Sequence, residues 1–270
     1  MKLRINEDAA GWKALVGKLR AAGCVFAEEE ARLLMDAASS VAELDKMAER
    51  RAAGYPLEHI VGWAEFCGLR IRIDPGVFVP RRRTEFLAGL AARITRPGDI
   101  AIDLCCGSGA LGAALANKVK PIMLHAVDID PVAVQCARRN IAADIGYVYE
   151  GDLYEPLPER LYNRIAVIVA NAPYVPTGKI ELMPAEARIH EAAIALDGGA
   201  DGLDVQRRIV AEASRWLAPG GVLLVETSER QAKQTAGLFS AYGLFPEPVR
   251  SEDYDATVIV GFRADRPVER

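Results

Sequence analysis

The sequence predicts an α/β fold in which a small helical segment precedes a sheet of seven strands with its last strand antiparallel. The first reason is that apolar, strand-like runs alternate with helical patterns from about residue 97 to the end. The second is that the last two runs, 245–250 and 257–262, are joined by too short a link for a parallel crossover. The third is that apolar side chains recur at helical spacing in the first 54 residues.

We expect the chain to divide into three parts. These are a helical N-terminal domain over 1–54, a connector with a β-hairpin over 55–96, and a main domain over 97–270. In the connector, residues 69–74 alternate apolar and basic side chains, Pro75-Gly76 makes a turn, and 77–79 returns as the second strand of the hairpin. The helical domain could be purely structural or could dock a partner, and its sequence does not choose between these roles.

Composition and charge narrow the class of function. The chain has 270 residues, of which 51% are hydrophobic, and a net charge of −4, so no overall basic surface marks a nucleic-acid binder. No apolar run is long enough to cross a bilayer. Five cysteines are scattered without any C-x-x-C spacing, which favours reduced thiols in a cytoplasmic protein over disulfides or a metal site.

The main domain opens with a strand, a loop of small residues and a helix. The strand covers 100–104, the loop is Cys105-Cys106-Gly107-Ser108-Gly109, and the helix starts near Ala110. Glycine lets a backbone approach a ligand closely, and a helix N-terminus presents free N–H groups. This order predicts the first unit of a nucleotide-binding α/β fold, although the G-x-G-x-x-G pattern is only approximate and is weak taken alone.

Acidic residues follow the next two strands. The strand over 122–127 ends at Asp128, about 20 residues past the glycine loop, where an acid is placed to accept from two ribose hydroxyls. Asp130 with Pro131 is predicted to cap the following helix. Asp152, after the third strand, could accept from an adenine amino group or could be an ordinary turn aspartate.

The fourth strand, over 165–170, ends in Asn171-Ala172-Pro173-Tyr174, and open α/β sheets hold their ligands at this edge. Pro173 keeps Ala172 extended, so the Ala172 carbonyl and the Asn171 Oδ1 could both accept from one planar NH2 group. Tyr174 could cover the flat face of that group. Such a site would hold an amide or aromatic amine with its nitrogen lone pair directed at an electrophile. The alternative interpretation is a strand-to-loop turn with a packed tyrosine.

Two further segments could border a site. Arg81, Arg82 and Arg83 could line an entrance for an acidic substrate, but we favour the interpretation that they form a solvated corner. The irregular insertion over 179–195 is long enough to be a lid over a substrate.

These motifs together resemble those of the class I S-adenosylmethionine-dependent methyltransferases, whose Rossmann-like sheet has seven strands. The segment 103–109 looks like their first cofactor motif, Asp128 matches the ribose-binding acid, and 151–153 matches the adenine-side motif. The chain further resembles the HemK-type protein-(glutamine-N5) methyltransferases, the release factor glutamine methyltransferase family. The segments that carry this second resemblance are 56–62, 65–66, 79–81 with 84–85, and 197–203, while 171–174 is similar to the N-P-P-Y motif of amino- and amide-directed N-methyltransferases.

The resemblance implies methyl transfer from S-adenosylmethionine to the side-chain amide of a glutamine, typically in the Gly-Gly-Gln of a peptide chain release factor. The implied catalytic and substrate-binding residues are Asn171, Ala172, Pro173 and Tyr174, with Arg81 and Glu85 as further substrate-binding residues. The implied cofactor-binding residues are Asp103, Cys105, Cys106, Gly107, Ser108, Gly109, Asp128, Ile129, Asp152, Leu153 and Asn171. We expect a protein substrate, no metal, no membrane contact and no direct contact with nucleic acid.

The sequence departs from the family pattern in three motifs, and its N-terminal helical module is short for a release-factor docking domain. Ala172 stands for the first proline of N-P-P-Y, Arg82-Arg83 stand for a proline and an acid, and Cys105-Cys106 replace Gly-Thr. An N-methyltransferase of another protein, a peptide or a small amide or amine therefore stays open. A nucleic-acid N-methyltransferase would need a basic face and stacking aromatics, which the composition does not favour. A non-catalytic cofactor-binding module and an NAD-binding enzyme are the remaining alternatives.

Overall fold

The computed structural model describes residues 10–264, and these begin with three short helices. They are α1 (Ala10–Ala21), α2 (Ala27–Ala37) and α3 (Val41–Ala52). Their apolar faces share a core of their own that includes Leu19, Leu34 and Leu44. The Ser40 side chain accepts from the backbone N–H of Glu43 at 3.2 Å and fixes the start of α3. The helical prediction is confirmed from residue 10 onward, and residues 1–9 lie outside the described part.

The connector contains a hairpin, but the predicted partner strand is wrong. Its elements are α4 (Leu57–Val61), β1 (Trp63–Phe66), β2 (Leu69–Arg72) and α5 (Thr84–Ile94). Strand β2 pairs antiparallel with β1 and not with residues 77–79. Cys67 and Gly68 form the two-residue turn with φ angles of 52° and 74°, and a turn with two positive φ angles matches the twist of paired strands. A Cys-Gly turn is a weaker sequence signal than Pro-Gly, which explains the wrong prediction.

The remaining elements alternate strand and helix. They are β3 (Ile100–Leu104), α6 (Ala110–Lys118), β4 (Met123–Asp128), α7 (Pro131–Asn140), β5 (Gly146–Glu150), β6 (Ile165–Ala170), α8 (Ala185–His190), α9 (Asp204–Trp216), β7 (Leu217–Thr227), α10 (Ala232–Ala241), β8 (Leu244–Ser251) and β9 (Ala256–Arg263). In the described chain the larger sheet has seven strands in the order β5-β4-β3-β6-β7-β9-β8, with β9 antiparallel to both neighbours. The predicted fold class is confirmed.

Strand β6 shows why this sequence makes a sheet covered on both faces. Its six residues are β-branched or small, and nearly all are buried. Val167 packs into one hydrophobic core and Ile168 into another, because successive side chains of a strand point to opposite faces. The chain runs outward from β3 to β5 and then returns to β6, so the strand order reverses between β3 and β6. A crevice at such a reversal is where open α/β sheets bind ligands.

The predicted insertion is ordered in the structure. The insertion over 179–195 folds as α8 between two segments of 3-10 helix, 177–182 and 193–195. The division into three domains at residues 54 and 97 stays a prediction. Within residues 10–264, no helix combines the length and the apolar composition needed to cross a membrane.

Candidate active site

A cavity of about 570 Å³ opens at the carboxyl ends of β3, β4 and β6, where the strand order reverses. Most residues that the sequence nominated line it. They are Arg81, Asp103, Cys105, Cys106, Gly107, Ser108, Asp128, Ile129, Asp152, Leu153, Asn171, Ala172, Pro173 and Tyr174. The nominated cofactor and acceptor residues therefore share one cavity.

Two nominated residues do not line this cavity. Gly109 precedes α6 with a φ of 76°, and a Cβ there would lie 2.9 Å from the Cδ1 atom of Ile141. The absence of a side chain at Gly109 permits the close approach of α7. Glu85 accepts from the backbone N–H of Cys67 at 2.8 Å and so holds the hairpin turn. The roles of Gly109 toward the cofactor and of Glu85 toward the substrate therefore stay predictions.

Asp103 is buried at the carboxyl end of β3. Its Oδ2 accepts from the backbone N–H of Gly112, in the first turn of α6, at 2.8 Å, so the carboxyl caps that helix. A Cβ at Gly112 would lie 2.9 Å from the same oxygen, which explains the glycine. Burial raises the pKa of Asp103 to about 7, against the opposing effect of the Gly112 hydrogen bond.

Asp128 ties the end of β4 to the glycine loop. Its Oδ2 accepts from Gly107 at 2.7 Å, and its Oδ1 accepts from Asp130 at 3.0 Å. Burial raises the pKa of Asp128, while these backbone N–H groups lower it. Each carboxylate oxygen has a second lone pair, so Asp128 can still accept from ligand hydroxyls. The predicted cap is confirmed, because the Asp130 side chain accepts from Val132 at 2.9 Å.

Asp152 lines the cavity and also forms an ion pair. Its Oδ2 lies 2.7 Å from a guanidinium nitrogen of Arg208 on α9. Arg208 lines the same cavity and was not nominated from the sequence. The aspartate is thus held in place by a cation, and its other oxygen has no hydrogen-bond partner in the described chain.

The Asn171–Tyr174 segment follows β6 without entering a helix. The Asn171 Nδ2 donates to the Thr84 Oγ1 at 3.3 Å. Ala172 is only 1% exposed, and no residue of 10–264 donates to its carbonyl. The Tyr174 hydroxyl donates to the Glu226 Oε1 at 3.4 Å, and burial, followed by the nearby Glu226 charge, raises the pKa of Tyr174 to about 12. The segment therefore offers two carbonyl-type oxygens beside a neutral phenol.

The glycine-rich turn over 197–203 makes backbone contacts with the Asn171–Tyr174 segment and with the residues that follow it. The backbone N–H of Gly198 donates to the Val175 carbonyl at 2.8 Å, and that of Thr177 donates to the Gly199 carbonyl at 2.9 Å. A Cβ at Gly202 would lie only 2.4 Å from the Tyr174 carbonyl oxygen. The turn needs glycine because two backbone segments run in direct contact.

The three arginines differ in their surroundings. Arg81 lines the cavity and donates to the Glu191 Oε1 at 2.5 Å, and this glutamate is buried. Arg83 is exposed but also lines the cavity, whereas Arg82 lies over the ring of Tyr254 at 5.8 Å. The interpretation of a solvated corner is therefore wrong for Arg81 and incomplete for Arg83.

Sequence reasoning missed three residues near the Asn171–Tyr174 segment: Thr84, Glu226 and Gln231. Thr84 belongs to the 84–85 motif, which by itself gives it no role at the site. Glu226 is an acid near the end of the apolar strand β7, the same signal that nominated Asp128, and it could have been found. Gln231 lies just before α10, and nothing in its local sequence indicates contact with the site.

The residues around the cavity fit S-adenosylmethionine. Asp128 offers acceptor oxygens at the end of β4, beside a loop with an open backbone at Gly107, where an added Cβ would meet nothing within 4 Å. Ile129 is 46% exposed although apolar, and with Leu153 it gives the cavity wall a hydrophobic surface suited to a flat base. Asp103 contributes a carboxyl that a positively charged ligand would favour in its ionised form.

Comparison with known proteins gives the following relatives. The chain matches the family of methyltransferase small domains over residues 68–202. It is 39% identical to a release factor glutamine methyltransferase of Geobacter sulfurreducens over 73% of this chain and 69% of the relative. It is 36% identical to a 4-amino-L-phenylalanine/4-methylamino-L-phenylalanine methyltransferase of Streptomyces pristinaespiralis over 72% of this chain and 68% of the relative.

A solved methyltransferase structure from Pyrococcus furiosus aligns with a TM-score of 0.55 at 19% identity. The alignment covers 73% of this chain and 90% of that one. At this identity the likeness concerns the fold alone.

Proposed function

Because this chain belongs to the release factor glutamine methyltransferase family, we propose that it methylates the side-chain amide of a glutamine in a protein, the Gly-Gly-Gln of a peptide chain release factor. The observation that carries the proposal is the pair of acceptor oxygens on Asn171 and Ala172, which line the same cavity as the cofactor residues. An NH2 group between them finds two acceptors, and the described chain leaves both free to accept.

The cofactor is assigned to the part of the cavity near β3 and β4. Asp128 would hold the ribose, Ile129 and Leu153 would cover the base, and Asp103 would favour the positive charge. When bound, S-adenosylmethionine supplies the methyl group as an electrophile and leaves as S-adenosylhomocysteine, while the acceptor nitrogen keeps the methyl and releases one proton to water. The chain itself contributes binding, orientation and the exclusion of water.

Orientation is the main contribution of the Asn171–Tyr174 segment. An amide nitrogen is a poor nucleophile because its lone pair is delocalised into the carbonyl. Two hydrogen bonds from its NH2 group to Asn171 and Ala172 would fix the plane of the amide and expose the lone pair on one face. Holding reactants in such a geometry can supply up to about 7–11 kcal/mol of the barrier.

The class of acceptor and the location in the cell belong to the same proposal. The net charge of −4 argues against direct contact with nucleic acid. All five cysteines are unpaired thiols, which supports a cytoplasmic location.

A second candidate acceptor is the aromatic amine of a small amino acid. The Streptomyces pristinaespiralis relative is named for such a substrate, and an aromatic NH2 group would meet the same two oxygens. Phe66 and Phe78 line the cavity and would suit an aromatic ring, and Arg81 would suit a carboxylate. The replacement of the first proline by Ala172 is compatible with either acceptor.

The test is methyl transfer from labelled S-adenosylmethionine to three acceptors. These are a release factor with Gly-Gly-Gln, the same factor with that glutamine changed to alanine, and 4-amino-L-phenylalanine. We expect label on the first only, and a loss of about 100-fold or more with Asn171→Ala, the scale of a misplaced reactant. Asn117→Ala, at an exposed asparagine of α6, is the control. Label on the amino acid only would replace the first candidate by the second.

A further inference from the structure

A buried carboxylate lies beside Asn171 in the sheet. Strands β6 and β7 run parallel, and Ala170 of β6 pairs with Val225 of β7. The next residues after these are Asn171 and Glu226, respectively, so these two residues are neighbours. Glu226 is 1% exposed. Its Oε1 accepts from the Tyr174 hydroxyl at 3.4 Å, but its Oε2 has no hydrogen-bond partner within residues 10–264. A buried carboxylate oxygen without a donor is unfavourable.

Thr84, the first residue of α5, is the donor available to this carboxylate. It is 4% exposed, and its Oγ1 accepts from the Asn171 Nδ2 at 3.3 Å. The Thr84 hydroxyl lowers the pKa of the Glu226 carboxyl, against the larger effect of burial. No hydrogen bond joins Thr84 to Glu226 in the described chain, where the Glu226 Oε2 has no partner. A hydrogen bond from Thr84 to Glu226 would satisfy both groups.

The direction of these hydrogen bonds follows from the chemistry of a carboxylate. An ionised carboxylate only accepts, so the Thr84 hydroxyl must donate to Glu226. The Thr84 oxygen is then left to accept, and it accepts from the NH2 end of the Asn171 amide. A carboxamide that turns its NH2 group toward Thr84 turns its oxygen the other way. The opposite orientation would set the Asn171 NH2 group against the NH2 group of the acceptor.

We propose that Glu226 is a positioning residue which, through the Thr84 hydroxyl, fixes the Asn171 amide with Oδ1 toward the methyl acceptor. The inference rests on the proposed function, because that reaction requires an oxygen and not an NH2 group at this point. Glu226 is not among the residues that line the cavity, so it would act through Thr84 and Asn171.

The first test is Glu226→Gln. A glutamine can turn its own NH2 group toward Thr84, so the hydroxyl can donate to Asn171 and the asparagine amide can reverse. We expect kcat for methylation to fall roughly 10- to 100-fold, the scale of one charge-assisted hydrogen bond, with the Kd of S-adenosylmethionine within about twofold of wild type. Glu229→Gln, at an exposed glutamate just beyond β7, is the matched control.

The second test asks whether the effect passes through Thr84. In a Thr84→Val background the link is cut, so adding Glu226→Gln should cause no further loss, a non-additivity that a general structural role would not produce. Thr84→Ser keeps the hydroxyl and should retain more activity than Thr84→Val. Additive losses in the double variant would overturn the proposal.

The third test does not depend on any acceptor. Selective ¹⁵N labelling of the five asparagines gives few side-chain amide signals by NMR, and Asn171→Asp assigns the one of interest. We expect slow exchange of one Asn171 amide proton with water in wild type and faster exchange in Glu226→Gln and in Thr84→Val. An unchanged signal in both variants would reject the positioning role, even if methylation of release factor is confirmed. Failure of wild type to methylate any release factor would reject the proposed function while this readout still decides the inference.

Discussion

The side-chain Nε2 of Gln231 donates to the carbonyl oxygens of Tyr174 and Asp201, each at 3.0 Å. One buried amide therefore joins the acceptor segment after β6 to the glycine-rich turn before α9. Ser228 in turn donates to the Gln231 Oε1 at 2.5 Å and fixes which end of this amide faces the carbonyls. The position of Tyr174 thus depends on a residue more than fifty positions away in the sequence.

Replacing Gln231 by leucine should lower both stability and turnover. Two carbonyls would lose their donor, and a carbonyl left buried and unpaired costs about 1–3 kcal/mol. We expect a lower melting temperature by calorimetry and a kcat for methylation reduced by about 10-fold, from displacement of Tyr174. Gln234→Leu, at an exposed glutamine of α10, should do neither. Equal effects of the two variants would contradict the role of Gln231.

Gly202→Ala should disturb the acceptor segment directly. Gly202 has a φ of 81°, and its added Cβ would lie 2.4 Å from the Tyr174 carbonyl oxygen. The left-handed conformation alone costs a residue with a Cβ about 1–2 kcal/mol, and the contact must be relieved by moving the segment. We expect loss of methylation and a lower free energy of unfolding. Gly178→Ala, where the Cβ would meet nothing within 4 Å, should resemble wild type in denaturant titration and in activity.

The pH dependence of the free energy of unfolding should reflect the ionisation of Asp103. Burial raises its pKa from 3.8 to about 7, so between these values the folded state holds a proton that the unfolded state has lost. This contribution therefore weakens the folded state progressively as pH rises from about 4 to about 7. Asp103→Asn should remove that part of the slope in unfolding free energy, whereas Asp144→Asn, at an exposed position, should leave it. An identical slope in all three proteins would show that Asp103 ionises normally.

The rate of methylation should fall at acid pH as Glu226 gains a proton. Burial raises the pKa of Glu226 above 4.5, opposed by Thr84 and Arg83 at the start of α5 and by Tyr174 after β6. A protonated carboxyl can donate to Thr84 and so permits the reversed Asn171 amide. Measured at saturating cofactor, kcat should drop as pH decreases through this pKa in wild type and should vary less in Glu226→Gln. Parallel profiles would assign the acid limb to another group.

Arg51, on the short helix α3, should contribute strongly to the free energy of unfolding. It lies 2.5 Å from Glu30 and 3.2 Å from Glu186, and the first pair is nearly buried. Arg51→Met leaves the Glu30 charge unpaired, which should cost about 3–5 kcal/mol. The double variant Arg51→Met/Glu30→Met should recover much of that loss in denaturant titration. Lys46→Met, on the exposed side of the same helix, should have little effect, and an equal loss there would point to the helix and not the ion pair.

The sequence alone determined the fold class and most of the cavity wall. The strand-like runs, the helix caps and the short link before β9 each depend on residues that are close in sequence. Such local patterns can be recognised without knowledge of the tertiary structure. The same holds for Asp128 and Asn171, because an acid or amide that ends a buried strand lies at the binding edge of an α/β sheet. Local signals failed at the hairpin, where a two-residue Cys-Gly turn decided the pairing.

Only the tertiary structure decided which residues stand behind the site. Asn171 and Glu226 are neighbours because β6 and β7 pair in one register, and Thr84 joins them because α5 covers that face of the sheet. Gln231 reaches Tyr174 from the segment just before α10. Such contacts depend on strand order and helix packing, which bring together residues far apart in the chain. Most residues that line the cavity could therefore be predicted from the sequence, whereas the contacts that hold them in place could not.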